Sequence, residues 1–167
     1  MQLYLSKRMP KYMTRYIWHS CRVLGLDELR GDITILLKGT LDGESFGLCW
    51  GDRREVEIHI ATKQWGEPIS REDKLKSIGH ELTHAQQYLT GRLKCALAET
   101  EFKSTWLGQE YRYAPEDEQS LPWEYEANEM ESLIYNEWTE YKYKKNSRKW
   151  IVEDGTVGSG SRSHSTL

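Results

Sequence analysis

Cysteine is scarce in this sequence, and its spacing excludes two classes of small protein. The 167 residues contain three cysteines, Cys21, Cys49 and Cys95, which are odd in number and far apart. Secreted domains that depend on disulfides have a denser and usually even set of cysteines. No two of the cysteines form a CxxC pair, the spacing typical of a structural zinc knuckle. The cysteine content therefore indicates a reducing compartment and a fold without a disulfide framework.

Long apolar runs and an excess of positive charge are missing as well. No apolar run approaches the length of about 20 residues that a membrane-spanning helix needs. The first residues lack the charged start, apolar centre and small-residue cleavage site of a signal peptide. The formal net charge is -3, so the chain as a whole does not attract nucleic acid or acidic membranes. We therefore expect a cytoplasmic protein without a membrane or nucleic-acid partner, and its oligomeric state stays open.

The composition is that of one globular domain followed by a short tail. Hydrophobic residues make up 38% and charged residues 29%, which fits a folded rather than a disordered chain. At 167 residues the chain is long enough for one domain with a sizeable core. From Asp154 onward glycine and serine dominate. We assign residues 1–153 to the domain and predict that residues 154–167 form a flexible tail.

Periodicity and turn residues predict an α+β domain. Residues 10–29 have helical periodicity, and Gly31 is the predicted end of that helix. Three predicted strands follow, separated by glycine-containing turns: residues 32–37, 45–50 and 55–60. The last of them alternates polar and apolar residues, which is typical of a strand with one buried face. Residues 102–113 indicate a hairpin around Leu107-Gly108, whose aromatic side chains we expect to serve packing.

The feature with the most chemical content is His80-Glu81-Leu82-Thr83-His84, an HExxH pattern. In an α-helix, residues four apart lie one turn above each other, about 40° apart around the axis, so both histidines can bind one metal ion. Glu81 lies about 100° from His80 and can reach a water on that metal without being a ligand. This is the position of a general base.

The surrounding residues predict that the pattern lies on a helix. Ser70 to Asp73 has the form of a capping box, and Gly91 stands where the helix should end. Between them, apolar residues recur at spacings of three and four: Leu75, Ile78, Leu82, Ala85 and Leu89. They form one stripe, and His80 and His84 fall roughly opposite it. The helix is therefore expected to bury one face and to present both histidines on another.

A third metal ligand has to come from another part of the chain, because a catalytic zinc ion usually takes three protein ligands and keeps one position for water. A second helix is predicted to begin at Pro122, since proline is favoured in the first turn. Glu124 and Glu126 follow it and flank the apolar stripe of that helix from opposite sides. Periodicity does not choose between them, so both stay candidates.

The two motifs together resemble the zincin metallopeptidases of the thermolysin-like, or gluzincin, group. The similarity lies in His80-Glu81-Leu82-Thr83-His84 and Glu124-Tyr125-Glu126-Ala127-Asn128, within a region of about residues 55–140. It implies a Zn²⁺ ion held by His80, His84 and Glu124, with Glu81 as the catalytic base. It also implies that residue 128 steadies a histidine. The family commonly has aspartate there, and Asn128 brings no charge to that role.

The run His84-Ala85-Gln86-Gln87-Tyr88, with the later Pro122-Trp123-Glu124-Tyr125-Glu126-Ala127, also resembles small zinc peptidase-like proteins, many of them encoded by bacteriophages. For a phage-encoded chain this implies the host cytoplasm. The resemblance implies a single zincin-like domain with an N-terminal helix, a small and mostly antiparallel sheet, the HExxH helix and a second helix carrying the glutamate ligand. It further implies that the strand at residues 55–60 lies at a sheet edge that receives an extended substrate.

The predicted function is zinc-dependent hydrolysis of peptide bonds in a peptide or protein substrate. One alternative is a zinc-binding phage adaptor or structural protein of peptidase-like fold, although a protein without activity has no need of Glu81. The other alternative is a deformylase-like amide hydrolase, in which an upstream cysteine is the third ligand. Cys49 is a poor match for that role, because Leu48 and Trp50 flank it where that family has glycine and leucine.

Overall fold

The computed structural model describes residues 1–41, 45–97 and 102–154. The helices of this part of the chain are α1 (Lys11–Val23), α2 (Arg71–Thr90) and α3 (Pro122–Asp154). Its strands are β1 (Gln2–Leu5), β2 (Asp32–Lys38), β3 (Gly47–Gly51), β4 (Glu55–Ala61), β5 (Lys63–Gln64), β6 (Glu67–Pro68), β7 (Leu93–Leu97), β8 (Phe102–Trp106) and β9 (Gln109–Tyr113). The fold class is α+β, as predicted.

The main sheet has four strands in the order β1-β2-β4-β3. β1, β2 and β4 run parallel, and β3 is antiparallel to β4. The expectation of a mostly antiparallel sheet is therefore wrong for this sheet. The reason is β1, which the sequence pattern did not indicate. It is followed by α1, and a helical crossover of this kind returns the chain in the same direction for the next strand.

β4 lies inside the sheet rather than at its edge. Its residue Ile58 is paired with Ile35 of β2 on one side and with Cys49 of β3 on the other. The predicted role as a substrate-binding edge is therefore wrong for β4, because both sides of its backbone are already hydrogen-bonded. Within the described residues, β3 has β4 as its only strand partner, so β3 forms the edge.

The core lies between the sheet and α2, with α1 packed beside α2. Alternate residues of β2 and β4 point into it, and each is at most 3% exposed: Ile33, Ile35, Val56, Ile58 and Ile60. The predicted apolar stripe of α2 is buried as well: Leu75, Ile78, Leu82, Ala85 and Leu89. Burial of this stripe fixes the rotation of α2 about its axis, and that rotation decides where the two histidines point.

α2 begins and ends as predicted, whereas α1 ends earlier than predicted. The Ser70 hydroxyl oxygen accepts a hydrogen bond from the backbone N–H of Asp73 at 3.0 Å, and Gly91 ends α2 in a left-handed conformation with φ of 72°. α1 ends at Val23 rather than near Leu29. Gly25 breaks it with a left-handed φ of 65°, and Leu26–Glu28 forms a separate 3-10 turn.

α3 packs along α2 and begins at Pro122, as predicted. The predicted hairpin is also present as β8 and β9, and β7 adds a third antiparallel strand to it. Three rings of this small sheet, those of Trp106, Tyr111 and Tyr113, have centroids 5.4 to 6.2 Å from Trp123. Their packing holds the first turn of α3 in place.

The predicted tail has only its first residue, Asp154, within the described part of the chain, as the last residue of α3. Residues 155–167 lie outside the described residues. In the ranges that the structure covers, no helix combines the length and the apolar character that crossing a bilayer demands.

Gly31 offers a test of the packing at the end of α2. Its φ of 119° is rarely adopted by other residues, and a Cβ there would lie 2.7 Å from Leu89 Cδ2 and 2.8 Å from the carbonyl oxygen of Arg54. We expect Gly31→Ala to lower the free energy of unfolding by about 2–4 kcal/mol in urea denaturation. Gly39→Ala is the control, because Gly39 has open space around it and no left-handed φ. Equal stability of the two variants would contradict this packing.

Candidate metal centre

Three side chains from α2 and α3 converge on one point. Nε2 of His80 and Nε2 of His84 are 3.0 Å apart. The Glu124 carboxylate lies 3.3 Å from His80 Nε2 through Oε2 and 3.2 Å from His84 Nε2 through Oε1. Among the described residues, these three make up the one group of histidine, cysteine and acidic side chains whose ligand atoms all lie within 4.8 Å of one another.

The donor set and its spacing fit a zinc ion. Two imidazole nitrogens and a carboxylate oxygen are a common set of protein ligands for catalytic zinc. With bonds of about 2.0–2.1 Å, the ligand atoms around a tetrahedral zinc ion lie roughly 3.3 Å apart. The corresponding distances in this group range from 3.0 to 3.3 Å. The two carboxylate distances run through different oxygens of Glu124, and the ligand atoms of the group all lie within 4.8 Å of one another, so the three side chains could hold one ion.

Burial and charge act in opposite directions on these side chains. Burial alone would lower the pKa of His80, but the nearby carboxylates of Glu124 and Glu131 outweigh that effect and raise the pKa to about 10. Burial alone would raise the pKa of Glu124, but its contacts with both histidines lower it to about 2. The buried carboxylate is therefore ionised at neutral pH, and a cation has to share the site: a proton on a histidine or a metal ion.

Glu126, the other candidate for the third ligand, lies away from the two histidines. Its two oxygens accept hydrogen bonds from Nη1 of Arg92 at 2.8 and 2.9 Å, and Oε2 also accepts one from Nε2 of Gln87 at 2.9 Å. Residues two apart on a helix lie about 200° apart around its axis, so α3 can present only one of the two carboxylates to α2. Glu124 is the one that it presents.

The far ring nitrogens of the two histidines have different partners. His84 Nδ1 lies 2.8 Å from Oε1 of Gln87, whose side chain is fully buried. His80 Nδ1 lies 3.6 Å from Oε2 of Glu131. The expected role of Asn128 is not met: this exposed residue lines the cavity and, within the described chain, makes no hydrogen bond to either histidine.

Glu81 lies beside the three convergent side chains but is not one of them. α2 turns it toward β3, where a Cβ on Gly47 would lie 2.5 Å from Glu81 Oε1. Glycine at position 47 therefore leaves the space that this carboxylate occupies. Glu81 is 7% exposed, and burial raises its pKa above the usual carboxyl value. A carboxylate with a raised pKa is a stronger proton acceptor, which suits a general base.

An open cavity of about 460 Å³ gives access to the three convergent side chains. One wall is formed by residues 45–49, which include the start of β3, and another by the histidine face of α2. Cys49 and Cys95 also line it, yet neither belongs to the group of convergent ligand atoms. The described residues therefore give no support to a deformylase-like centre with a cysteine ligand.

The sequence interpretation missed Gln87, Arg92 and Glu131. Gln87 had a local signal, since a residue three positions after His84 on a helix is its neighbour on the surface. Arg92 and Glu131 had none, because their contacts join distant segments: Arg92, just after α2, contacts Glu126 of α3, and Glu131 of α3 contacts His80 of α2.

No protein-family model, curated protein or solved structure matches the chain. Its function therefore has to be inferred from the side chains of this site and their geometry.

Replacing Glu124 and Glu126 in turn by glutamine tests which of the two carboxylates is the third metal ligand. Glu124→Gln should weaken zinc binding by more than about 100-fold, beyond the 10–100-fold typical of a residue that only supports a ligand. Glu126→Gln, on the same turn, alters a carboxylate that accepts from Gln87 and Arg92 but leaves the three convergent side chains in place, so it should weaken zinc binding by no more than about 10-fold. Competition with a chromophoric chelator measures both. The assignment of Glu124 fails if Glu126→Gln is the variant that loses the metal.

The pKa shifts predict how the metal-free protein responds to pH. Because the pKa of His80 is raised in the folded state, protonation of His80 stabilises the fold. This contribution is complete below pH 6.5 and is lost as the pH rises toward 10. Because the pKa of Glu124 is lowered in the folded state, its ionised carboxylate also stabilises the fold. This contribution is complete above pH 4.5 and is lost as the pH falls toward 2. In the presence of a chelator, we expect unfolding free energy to fall by on the order of 1–3 kcal/mol between about pH 6 and about pH 9.

The matched control for this pH dependence is Glu124→Gln, measured by urea denaturation under the same conditions. Without the carboxylate that holds the proton on His80, its stability should change less over the same pH interval. A wild-type protein as stable at the higher pH as at the lower would contradict the charge balance described here.

Proposed function

We propose that this protein is a zinc-dependent metallopeptidase that hydrolyses peptide bonds. The observation that carries the proposal is the convergence of His80, His84 and Glu124 at 3.0 to 3.3 Å in an open cavity, with the buried carboxylate of Glu81 beside them and outside the ligand group. Three ligands leave one position free on a tetrahedral ion, which favours catalysis over a closed structural site.

The residues divide the chemistry between them. His80, His84 and Glu124 would hold a zinc ion, whose Lewis acidity would activate water and polarise a carbonyl. Glu81 accepts a proton from the attacking water and then donates it to the amine that leaves. Its burial favours the first of these steps, because burial raises the pKa of Glu81 and makes its carboxylate a stronger proton acceptor.

The edge of the main sheet supports a peptide as the substrate. Residues 45–49 line the same cavity as His80 and His84, and β3 has a strand partner on one side only within the described residues. An extended peptide could pair with the other side through backbone hydrogen bonds, in the way that strands are added to open sheet edges. Its scissile bond would then lie over the three convergent side chains. Peptides or proteins of the cytoplasm are the substrates we propose.

A protein that binds zinc without turnover is the competing interpretation. Such a protein needs the three ligands but gains nothing from a carboxylate held at the ion, and a buried ionisable group is costly to keep. Glu81, at 7% exposure, with Gly47 leaving space for it, favours an enzyme.

Substitution of the base tests the mechanism. Glu81→Gln should keep zinc content near that of the wild type and lower hydrolysis by at least about 100-fold, the usual contribution of a general base. The assay is cleavage of a peptide library by the zinc-loaded protein, with a chelator-treated sample to establish that cleavage depends on the metal.

The matched control is Glu72→Gln on the exposed first turn of α2, where Glu72 pairs with Lys76. This variant should cleave like the wild type. Unchanged turnover in Glu81→Gln would remove Glu81 from the role of base, and a zinc-loaded wild type that cleaves no peptide would overturn the peptidase proposal itself.

A further inference from the structure

We infer that Gln87 is the positioning residue of this site: it holds His84 with a proton on Nδ1 and so leaves Nε2 as the atom that binds the metal. The inference rests on the proposed zinc site and deepens it. It concerns a residue outside both motifs, and it follows from which atoms around Gln87 can donate and which can accept.

The amide of Gln87 has one orientation that satisfies its neighbours. Its nitrogen lies 3.0 Å from the carbonyl oxygen of Trp123 and 2.9 Å from Oε2 of Glu126. A carbonyl and an ionised carboxylate accept hydrogen bonds and donate none, so they need the NH₂ end of the amide. The opposite orientation would place three oxygens against one another. The oxygen Oε1 must therefore face His84.

This orientation decides the proton on His84. Oε1 of an amide only accepts, so Nδ1 of His84, at 2.8 Å, has to be the donor. A neutral imidazole with its proton on Nδ1 has its lone pair on Nε2, the nitrogen that lies 3.2 Å from Glu124 and 3.0 Å from His80. Gln87 is thus the group that selects the metal-binding form of the ring.

Arg92 fixes the position of Glu126, the carboxylate to which the Gln87 amide donates. It donates to both oxygens of Glu126 at 2.8 and 2.9 Å, and its guanidinium lies 5.2 Å from the ring centroid of Trp106. Glu126 is therefore fixed as an ionised acceptor for Gln87. The chain of contacts runs from His84 through Gln87 and Glu126 to Arg92, and it connects α2 to the turn of α3 that carries Glu124.

Because the site is buried, water cannot take the place of the Gln87 amide as the hydrogen-bond partner of His84. Gln87 is 0% exposed and His84 is 7% exposed, so no bulk water reaches Nδ1 when the amide is removed. His80 differs in this respect: its side chain is 16% exposed, and Glu131 lies 3.6 Å from its Nδ1, beyond an ordinary hydrogen bond. The two histidines are therefore held unequally, and the stronger support belongs to His84.

The first test needs no substitution. In zinc-loaded wild-type protein labelled with ¹⁵N-histidine, long-range proton–nitrogen correlation spectra should show His84 protonated on Nδ1, with slow exchange of that proton with water. Protonation on Nε2, with the metal on Nδ1, would overturn the inference. Wild-type protein that takes up no zinc would overturn both this inference and the proposed function.

The second test removes the amide. Gln87→Met keeps the length of the side chain and loses its hydrogen bonds, so zinc affinity should fall by about 10–100-fold and the Nδ1 proton of His84 should exchange faster. Gln2→Met is the control: Gln2 lies on β1 and its amide oxygen accepts a hydrogen bond from the Tyr4 hydroxyl, outside the contacts of Gln87. It should stay within about threefold of the wild-type affinity.

A paired exchange distinguishes positioning from simple packing. In the double variant Gln87→Glu with Glu126→Gln, a carboxylate still accepts from His84 Nδ1, and an amide still donates across to it and accepts from Arg92. The carbonyl of Trp123 loses its donor in this variant, which lowers stability. The Nδ1 proton signal should therefore return, and zinc affinity should recover in part, to a value between those of Gln87→Met and the wild type. The inference fails if Gln87→Met binds zinc like the wild type, or if the double variant is as weak as Gln87→Met.

These outcomes are separable from the failure of the proposed function. Zinc binding and the His84 spectrum report on positioning whether or not any peptide is cleaved. A protein that binds zinc, shows the Nδ1 proton and cleaves no peptide keeps the role of Gln87 and loses the peptidase assignment.

Discussion

A buried carboxylate that faces two imidazoles is the constraint on which this structure depends. Glu124 is 6% exposed, and an ionised group at that depth is tolerated only when a cation and hydrogen bonds compensate it. The compensation comes from a different helix, so the position of α2 relative to α3 has to be fixed. The apolar stripe of α2 on the main sheet and the aromatic rings around Trp123 fix that position. The core of this protein is thus also the support of its site.

The start of α3 carries two glutamates, Glu124 and Glu126, which have different roles. Glu124 and Glu126 differ by about 200° around the axis of α3. One carboxylate enters the group with His80 and His84, while the other is fixed by Arg92 and by the amide of Gln87. Glu126, a candidate ligand in the sequence analysis, is therefore part of the support of a ligand instead. Beside the histidines on α2, Glu81 occupies the space that Gly47 leaves against β3, so one helix brings two ligands and the base to one cavity.

The features that the sequence predicted are those with a local physical cause. The ends of α2 follow from the Ser70 cap and the left-handed Gly91, and the hairpin follows from the Leu107-Gly108 turn. Contacts between distant segments had no such signal. β1 is four residues long and gave no pattern of its own, yet it makes the main sheet mixed and leaves β4 inside it. Gly25 could equally have been tolerated within a longer helix. The role expected for Asn128 falls to Gln87, because tertiary packing rather than motif spacing decides which side chain reaches the far nitrogen of a histidine.

The claim at the centre of this account is that one zinc ion sits between two imidazoles and one carboxylate, with no sulfur ligand. X-ray absorption at the zinc edge of the protein loaded with one equivalent of metal measures this directly. The account predicts a first shell of nitrogen and oxygen at about 2.0–2.1 Å, with the outer scattering of two imidazole rings. A shell at about 2.3 Å, which would bring Cys49 or Cys95 into the site, or the scattering of a single imidazole, would contradict it.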